Sequence, residues 1–217
     1  KSAGNGFQVD EMVARVGADA ARTTVLSLGP WDTNVNWSDG ALAGVQRFLK
    51  RVENMADNLT DDVMTSEQER LVNQLIADMT ERLENMRFNT AISAMMEFIN
   101  QFSGTMPRPV YEVLIQMLNP FAPHLTEEIW ERLGHADMLV FQPWPTYDAA
   151  KLAKTTMTIV VSVNGKRASD FVVSVSATEE EIVDAAKQAA SKKLAGASII
   201  KTIVVPNKLI NFVVRNN

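Results

Sequence analysis

Apolar residues recur at helical spacing over the first two thirds of the chain and alternate at strand spacing over the last third. After a polar, Gly-rich opening at Lys1-Ser2-Ala3-Gly4-Asn5-Gly6, the positions of Met12, Val13 and Val16 predict a helix. Gly29-Pro30 ends that pattern, and Trp31 to Trp37, with Asp32, Asn34 and Asn36, reads as turn. Helices dominate from Ser38 to about Arg132. One lies around Leu42 to Met55. The next opens on a capping box read at Ser66-Glu67-Gln68-Glu69 and carries the stripe Leu71, Leu75, Met79, Leu83 and Met86. A third, Phe88 to Phe102, puts Ala91, Ile92, Met95, Ile99 and Phe102 on one face. A fourth, Val110 to Leu118, stops before Asn119-Pro120, and a short one passes through Ile129 and Leu133. Such a series predicts an antiparallel bundle, and Pro143, Trp144 and Pro145 mark a linker after it.

Beyond the linker the period changes. Thr158 to Val163 and Arg167 to Val175 are β-branched runs joined by Asn164-Gly165, the strongest short-range hairpin signal. Thr178-Glu179-Glu180-Glu181 is a second capping box, opening a helix through Ile182, Ala186, Ala189 and Ala190 to Leu194, with Gly196 placed to end it. Strands at Ser198 to Val205 and Leu209 to Val214 follow, separated by Pro206-Asn207-Lys208. The expected fold is therefore mainly α with a small α+β domain: a helical bundle, then a compact ββαββ unit with its helix on one face of a sheet. The divisions read from the sequence are 1–37, a connecting segment; 38–150, the bundle; and 151–217, the ββαββ domain.

A length of 217 residues suits two modest domains, and 46% hydrophobic with 22% charged residues is ordinary globular composition. The absence of cysteine excludes disulfide frameworks and thiolate metal sites, and Lys1 to Asp10 lack the apolar centre of a signal peptide, so a cytoplasmic protein is expected. No apolar run approaches the roughly 18 residues of a membrane span.

The net charge of −5 conceals an asymmetry. Residues 1–150 hold 11 Lys and Arg against 21 Asp and Glu, while residues 151–217 hold 10 against 5. A basic domain joined to an acidic scaffold points to a polyanionic partner for the last third. Within it, Asn164-Gly165-Lys166-Arg167 displays two cations on a tight turn, suited to gripping phosphate. Lys187, Lys192, Lys193, Lys201, Lys208 and Arg215 lie in the same small domain. Catalytic candidates do not survive. His124 and His135 cannot build a zinc site alone, and His124 after Asn119-Pro120-Phe121-Ala122-Pro123 is expected to cap or pack a helix start. Asp61-Asp62 and Glu127-Glu128 are expected near helix starts, complementing the dipole, and the 11 methionines are expected as core filling.

Several segments, taken in chain order, resemble leucyl-tRNA synthetases of bacterial type. Lys1-Ser2 with Gly4-Asn5 resembles the end of that family's KMSKS loop. Val16-Gly17-Ala18-Asp19-Ala20-Ala21-Arg22 resembles its YGAD-x-x-R stretch, with Val16 in place of the first aromatic. Arg47-Phe48-Leu49-Lys50-Arg51-Val52, Phe88-Asn89-Thr90-Ala91-Ile92 and Leu118-Asn119-Pro120-Phe121-Ala122-Pro123-His124 are similar to the anticodon-binding-type bundle shared by the synthetases for leucine, isoleucine and valine. Val163-Asn164-Gly165-Lys166-Arg167 with Val205-Pro206-Asn207-Lys208-Leu209 is similar to the terminal domain of the leucine enzymes.

The resemblance implies a parent ligase that uses ATP to attach leucine to tRNA(Leu), with this chain a carboxy-terminal portion lacking the catalytic and editing domains. It implies that residues 1–37 are the tail of the catalytic region, in which Lys1 and Ser2 are a remnant of the ATP-phosphate loop. Arg47, Lys50 and Arg51 join the basic residues of the last third as candidate RNA contacts. The implied partner is tRNA(Leu), with leucine and ATP belonging to the parent, no metal, no membrane, and a monomeric protein. The rival readings are a protein-interaction module, in which the acidic bundle meets a basic partner, and the equivalent region of a valine- or isoleucine-type enzyme.

Overall fold

The computed structural model describes residues 8–102, 104–153 and 156–216, and the chain divides into two compact units, residues 1–152 and 153–217. Lys1, Ser2 and Lys154 lie outside the described residues.

The first unit is helical. Helices α1 (Val9–Val16) and α2 (Ala18–Ser27) pack beside α3 (Asp39–Met55), α4 (Ser66–Glu84), α5 (Phe88–Ile99), α6 (Arg108–Leu118) and α7 (Pro123–Arg132). The two-residue strands β1 (Leu59–Thr60) and β2 (Met106–Pro107) tie two loops together in parallel. The stripe expected on α5 is the buried one: Ala91, Ile92, Met95 and Ile99 are all in the core, as is Phe102 beyond the helix end. On α4 the buried face is Val72, Leu75, Ile76 and Met79. Leu71 and Leu83 sit at its margin, and Met86 is exposed because the helix has already ended at Glu84. The capping box at the start of α4 uses Thr65 and Gln68, one residue before the pair read from the sequence, since Thr65 Oγ1 accepts from Gln68 N and Gln68 Oε1 accepts from Thr65 N. Both pairs satisfy the pattern, and only the extended backbone at Thr65 selects between them.

Polar cross-links fix the helices. Buried Tyr111 of α6 donates its hydroxyl to Val52 O at 2.7 Å, and burial pushes its pKa well above the usual 10.0. The carboxylate of Asp19, at the start of α2, accepts from Leu125 N at 2.7 Å and from His124 Nδ1 at 2.8 Å, so α7 is capped by a residue of α2. Arg22 and Thr23 donate to the carbonyls of Pro120 and Phe121. Glu127 does more than complement a dipole, because its two oxygens accept from Leu139 N and Val140 N. The stretch read as a linker is strapped to the bundle: Trp144 Nε1 donates to Thr80 Oγ1, Asp148 N to Asn73 Oδ1, and Lys151 pairs with Glu69.

The second unit is a four-stranded sheet in the order β4-β3-β6-β5, made of β3 (Thr156–Val163), β4 (Lys166–Ser174), β5 (Ala197–Val205) and β6 (Leu209–Asn216). Two antiparallel hairpins join through a parallel β3–β6 pair, with α8 (Glu179–Ala189) and α9 (Ser191–Leu194) in the crossover. The single helix expected to reach Leu194 is thus broken at Ala190. Its capping box is the expected one, Thr178 with Glu181. Ile159, Val161, Ile210 and Phe212 form one sheet face and close on Ala186 and Ala190.

Candidate nucleic-acid interface

The β3–β4 turn has positive φ at both central residues, 48° at Asn164 and 77° at Gly165, the backbone that makes Asn-Gly favoured there. It is also docked on β6. Asn164 Oδ1 accepts from Val214 N at 2.9 Å and Asn164 Nδ2 donates to Val214 O at 3.1 Å, so the carboxamide imitates one more ladder residue. Asn164 N donates to Phe212 O at 2.8 Å, and Gly165 N donates to Asn211 Oδ1 at 3.0 Å. Lys166 and Arg167 therefore leave from a base fixed by four hydrogen bonds.

Strand direction decides which cations share that end. Because β6 runs parallel to β3, its residue Arg215 lies near the turn. Because β5 is antiparallel to β6, its start and the preceding α9 lie there too. Lys193 Nζ donates to Arg167 O at 2.9 Å, which brings α9 against the first residues of β4. Lys166, Arg167, Lys192, Lys193 and Arg215 thus gather at one end of the unit, all exposed. Arg167 also pairs with Asp170 at 2.9 Å.

The other candidates are placed elsewhere. Lys208 sits in the β5–β6 turn at the opposite end, where Glu179 at the start of α8 lines a small pocket with Pro206 and Asn207. Glu180 and Glu181 follow in the first turn of that helix, so the unit is electrically polar, basic at the hairpin end and acidic at the other. Lys187 is paired with Asp184 at 2.9 Å. Lys201 stands exposed in β5 beside Thr202, whose partner Phe212 is buried, so it lies on the sheet face away from α8. The same logic places both phenylalanines of the sheet, Phe171 and Phe212, on the covered face. Among the described residues the basic end thus offers cations but no aromatic side chain on which a base could stack.

In the first unit, Arg47, Lys50, Arg51 and Asn54 form one exposed stripe on α3, lining a groove of about 340 Å³ with no carboxylate in its wall. Their roles separate. Arg51 donates to Ile99 O at 2.8 Å and to Asn100 Oδ1, tying α3 to the end of α5, and Lys50 pairs with Glu53 at 2.9 Å. Arg47 has no polar partner among the described residues, which leaves its guanidinium available to an anion. The larger groove beside α1 and α2, about 790 Å³, is lined by Val9, Met12, Val13, Val25, Leu26 and Trp37 and offers no reactive side chain. Among the described residues no group of His, Cys, Asp and Glu could hold a metal ion, and no helix is long and apolar enough to cross a membrane.

The family described as the anticodon-binding domain of tRNA ligase matches residues 69–183, from within α4 to within α8. The chain belongs to this family. It is 38% identical over 226 aligned positions to the leucine–tRNA ligase of Chlorobaculum tepidum, an alignment covering 99% of this chain and 28% of that protein. Its fold is similar to the LeuRS of Agrobacterium radiobacter K84, solved in a ternary complex with tRNA and LeuAMS. The TM-score is 0.65 and the identity 27%, over 99% of this chain and 31% of that one. The chain thus spans less than a third of the length of the tRNA ligases it matches, and the expected architecture of a helical anticodon-binding region with a small α+β unit is the observed one.

Proposed function

We propose that this chain is a tRNA-binding portion of a leucine–tRNA ligase, and that the basic end of its second unit grips the phosphate backbone of tRNA(Leu). The observation that carries the reading is end-to-end similarity to a leucine–tRNA ligase and to a LeuRS solved with tRNA. The gathering of Lys166, Arg167, Lys192, Lys193 and Arg215 supports the location, and Arg47 on α3 supplies a second point of contact. On this reading the parent uses ATP and leucine, works in the cytoplasm as a monomer, and carries out adenylate formation with residues outside this chain. Lys1 and Ser2 belong, on the same reading, to the phosphate loop of that catalytic region. A protein-interaction module is disfavoured by the same alignments.

Titration of the 217-residue chain with tRNA at a series of salt concentrations tests the reading. Counterion release makes the logarithm of affinity fall by about 0.7 to 0.9 per phosphate contact for each logarithmic unit of salt. A slope of several such contacts is expected, and a slope near zero would remove the proposal. The purified chain is expected to show no leucine-dependent pyrophosphate exchange.

A further inference from the structure

The hairpin tip carries chemistry that RNA binding does not use. An exposed Asn followed by Gly can react with itself: the Gly165 backbone nitrogen, after losing its proton, attacks Asn164 Cγ. The bond from Cγ to the side-chain nitrogen breaks, ammonia leaves, and a five-membered succinimide closes. Water then opens the ring to aspartate or to isoaspartate. The balance is one water in and one ammonia out, with no oxidant or reductant. Glycine favours the attack because no Cβ crowds its nitrogen.

We infer that Asn164-Gly165 is a latent deamidation site that docking on β6 holds in check, and that reaction there unlatches the tip irreversibly. Both reacting groups are engaged in the fold. The Gly165 N–H is held by Asn211 Oδ1 at 3.0 Å, so losing its proton also breaks a hydrogen bond. The Asn164 carboxamide is held at both atoms by Val214, which keeps Cγ turned toward β6. Reaction therefore requires the tip to lift.

The product cannot reseat in the same way. A carboxylate oxygen replaces the Nδ2 donor that meets Val214 O at 3.1 Å, setting acceptor against acceptor. The isoaspartate form also lengthens the main chain by one carbon within the turn. In addition, a negative charge arises beside Lys166 and Arg167. Its effect on tRNA rests on the proposed function above, whereas the chemistry and the unlatching do not.

The test ages the full chain at neutral pH beside a free peptide of residues 160–170 and the variants Asn211→Ala and Asn211→Asp, following conversion by peptide mapping with isoaspartate detection. Three restraining hydrogen bonds are expected to slow the folded chain by roughly tenfold or more relative to the peptide. Asn211→Ala is expected several-fold faster than wild type, while Asn211→Asp, which keeps an acceptor for Gly165 N–H, stays slow. Wild type keeping pace with the peptide, or the two variants reacting alike, would overturn the restraint. A second arm guards against unfolding of Asn211→Ala: hydrogen exchange of the Gly165 amide, held by Asn211 Oδ1 only while the tip is docked, in Asn164→Asp, which carries one product. Loss of protection at Gly165 with the rest of the sheet still protected is expected, and unchanged protection would overturn the latch. Neither readout involves RNA, so both stand whether or not tRNA binds.

Discussion

The two units divide the work that sequence does in this chain. The first carries −9 charge over residues 1–152 and buries Tyr111, Phe121, Met79, Ile92, Met95 and Ile129 almost completely, with carboxylates and arginines stitching helix ends together. The second carries +4 over residues 153–217, and its buried core is Ile159, Val161, Ala186, Ala190, Ile210 and Phe212. Cations of the bundle are mostly engaged with carboxylates or carbonyls, while those at the hairpin end of the sheet, Arg167 with Asp170 and Lys193 with Arg167 O included, are all exposed. The larger core lies in one unit and the excess of positive charge in the other, so, on the proposed function, substitutions should separate stability from tRNA affinity.

The largest effect is expected from cutting equivalent aromatic anchors. Phe121→Ala in the bundle and Phe212→Ala in the sheet should each cost about 3 to 5 kcal/mol. A small domain of residues 153–217 has marginal stability of its own. Phe212→Ala is therefore expected to unfold the second unit outright while the bundle stays folded, whereas Phe121→Ala should lower the bundle's melting temperature without unfolding it at room temperature. Amide spectra of both variants check this, and loss of both units together in either variant would show that the units are not energetically separate.

The next effect concerns affinity. Changing Lys166 and Arg167 together to alanine should weaken tRNA binding about tenfold or more, since hydrogen bonds to charged groups are worth roughly 1.5 to 3 kcal/mol. The comparison is Lys187→Ala with Lys208→Ala, which removes the same charge from the same unit but from an ion pair and from the opposite end. That pair should cost less than threefold. Equal losses, measured at one salt concentration, would mean that total charge matters and the basic end does not. Lys151→Ala, in a residue paired with Glu69 on the bundle, should change little.

A third substitution, Asp19→Ala, should destabilise the bundle by about 1 to 2 kcal/mol through loss of the cap on α7 and leave tRNA affinity of the second unit unchanged. Chemical denaturation of the bundle measures it. This cap also marks the limit of what the sequence discloses. The hairpin was legible because Asn-Gly has few other uses, and α5 because five apolar positions keep one period. The start of α4 was displaced by one residue because Ser66 and Thr65 offer the same chemistry. His124 was correctly expected at a helix start, but the residue that caps the helix is Asp19, far away in the chain, and no local pattern reports it. The matches at Asp19, Arg22, Pro120 and His124 are explained together only in three dimensions, where those residues meet. The basic end was equally hidden. Composition gave the cations, but only the parallel β3–β6 pairing brings Arg215 and α9 beside the turn and sends Lys208 away.

The smallest effect sharpens the account of the bundle. Tyr111→Phe removes one hydroxyl that donates to Val52 O in the core, which should cost about 1 kcal/mol at neutral pH. Its pH dependence is more telling. Burial raises the pKa of the folded phenol above its ordinary 10.0, so the folded state keeps its proton where the unfolded chain releases it. Below about pH 10 both states are protonated and the group adds no pH dependence. Above it the unfolded state binds fewer protons, and stability falls as pH rises by up to about 1.4 kcal/mol per pH unit until the folded pKa is reached. Tyr111→Phe lacks that loss, so the stability gap between wild type and variant should narrow from neutral pH to pH 11. Denaturation midpoints of the bundle at the two pH values measure it, and a gap that stays constant would show that the phenol is not sealed in the core.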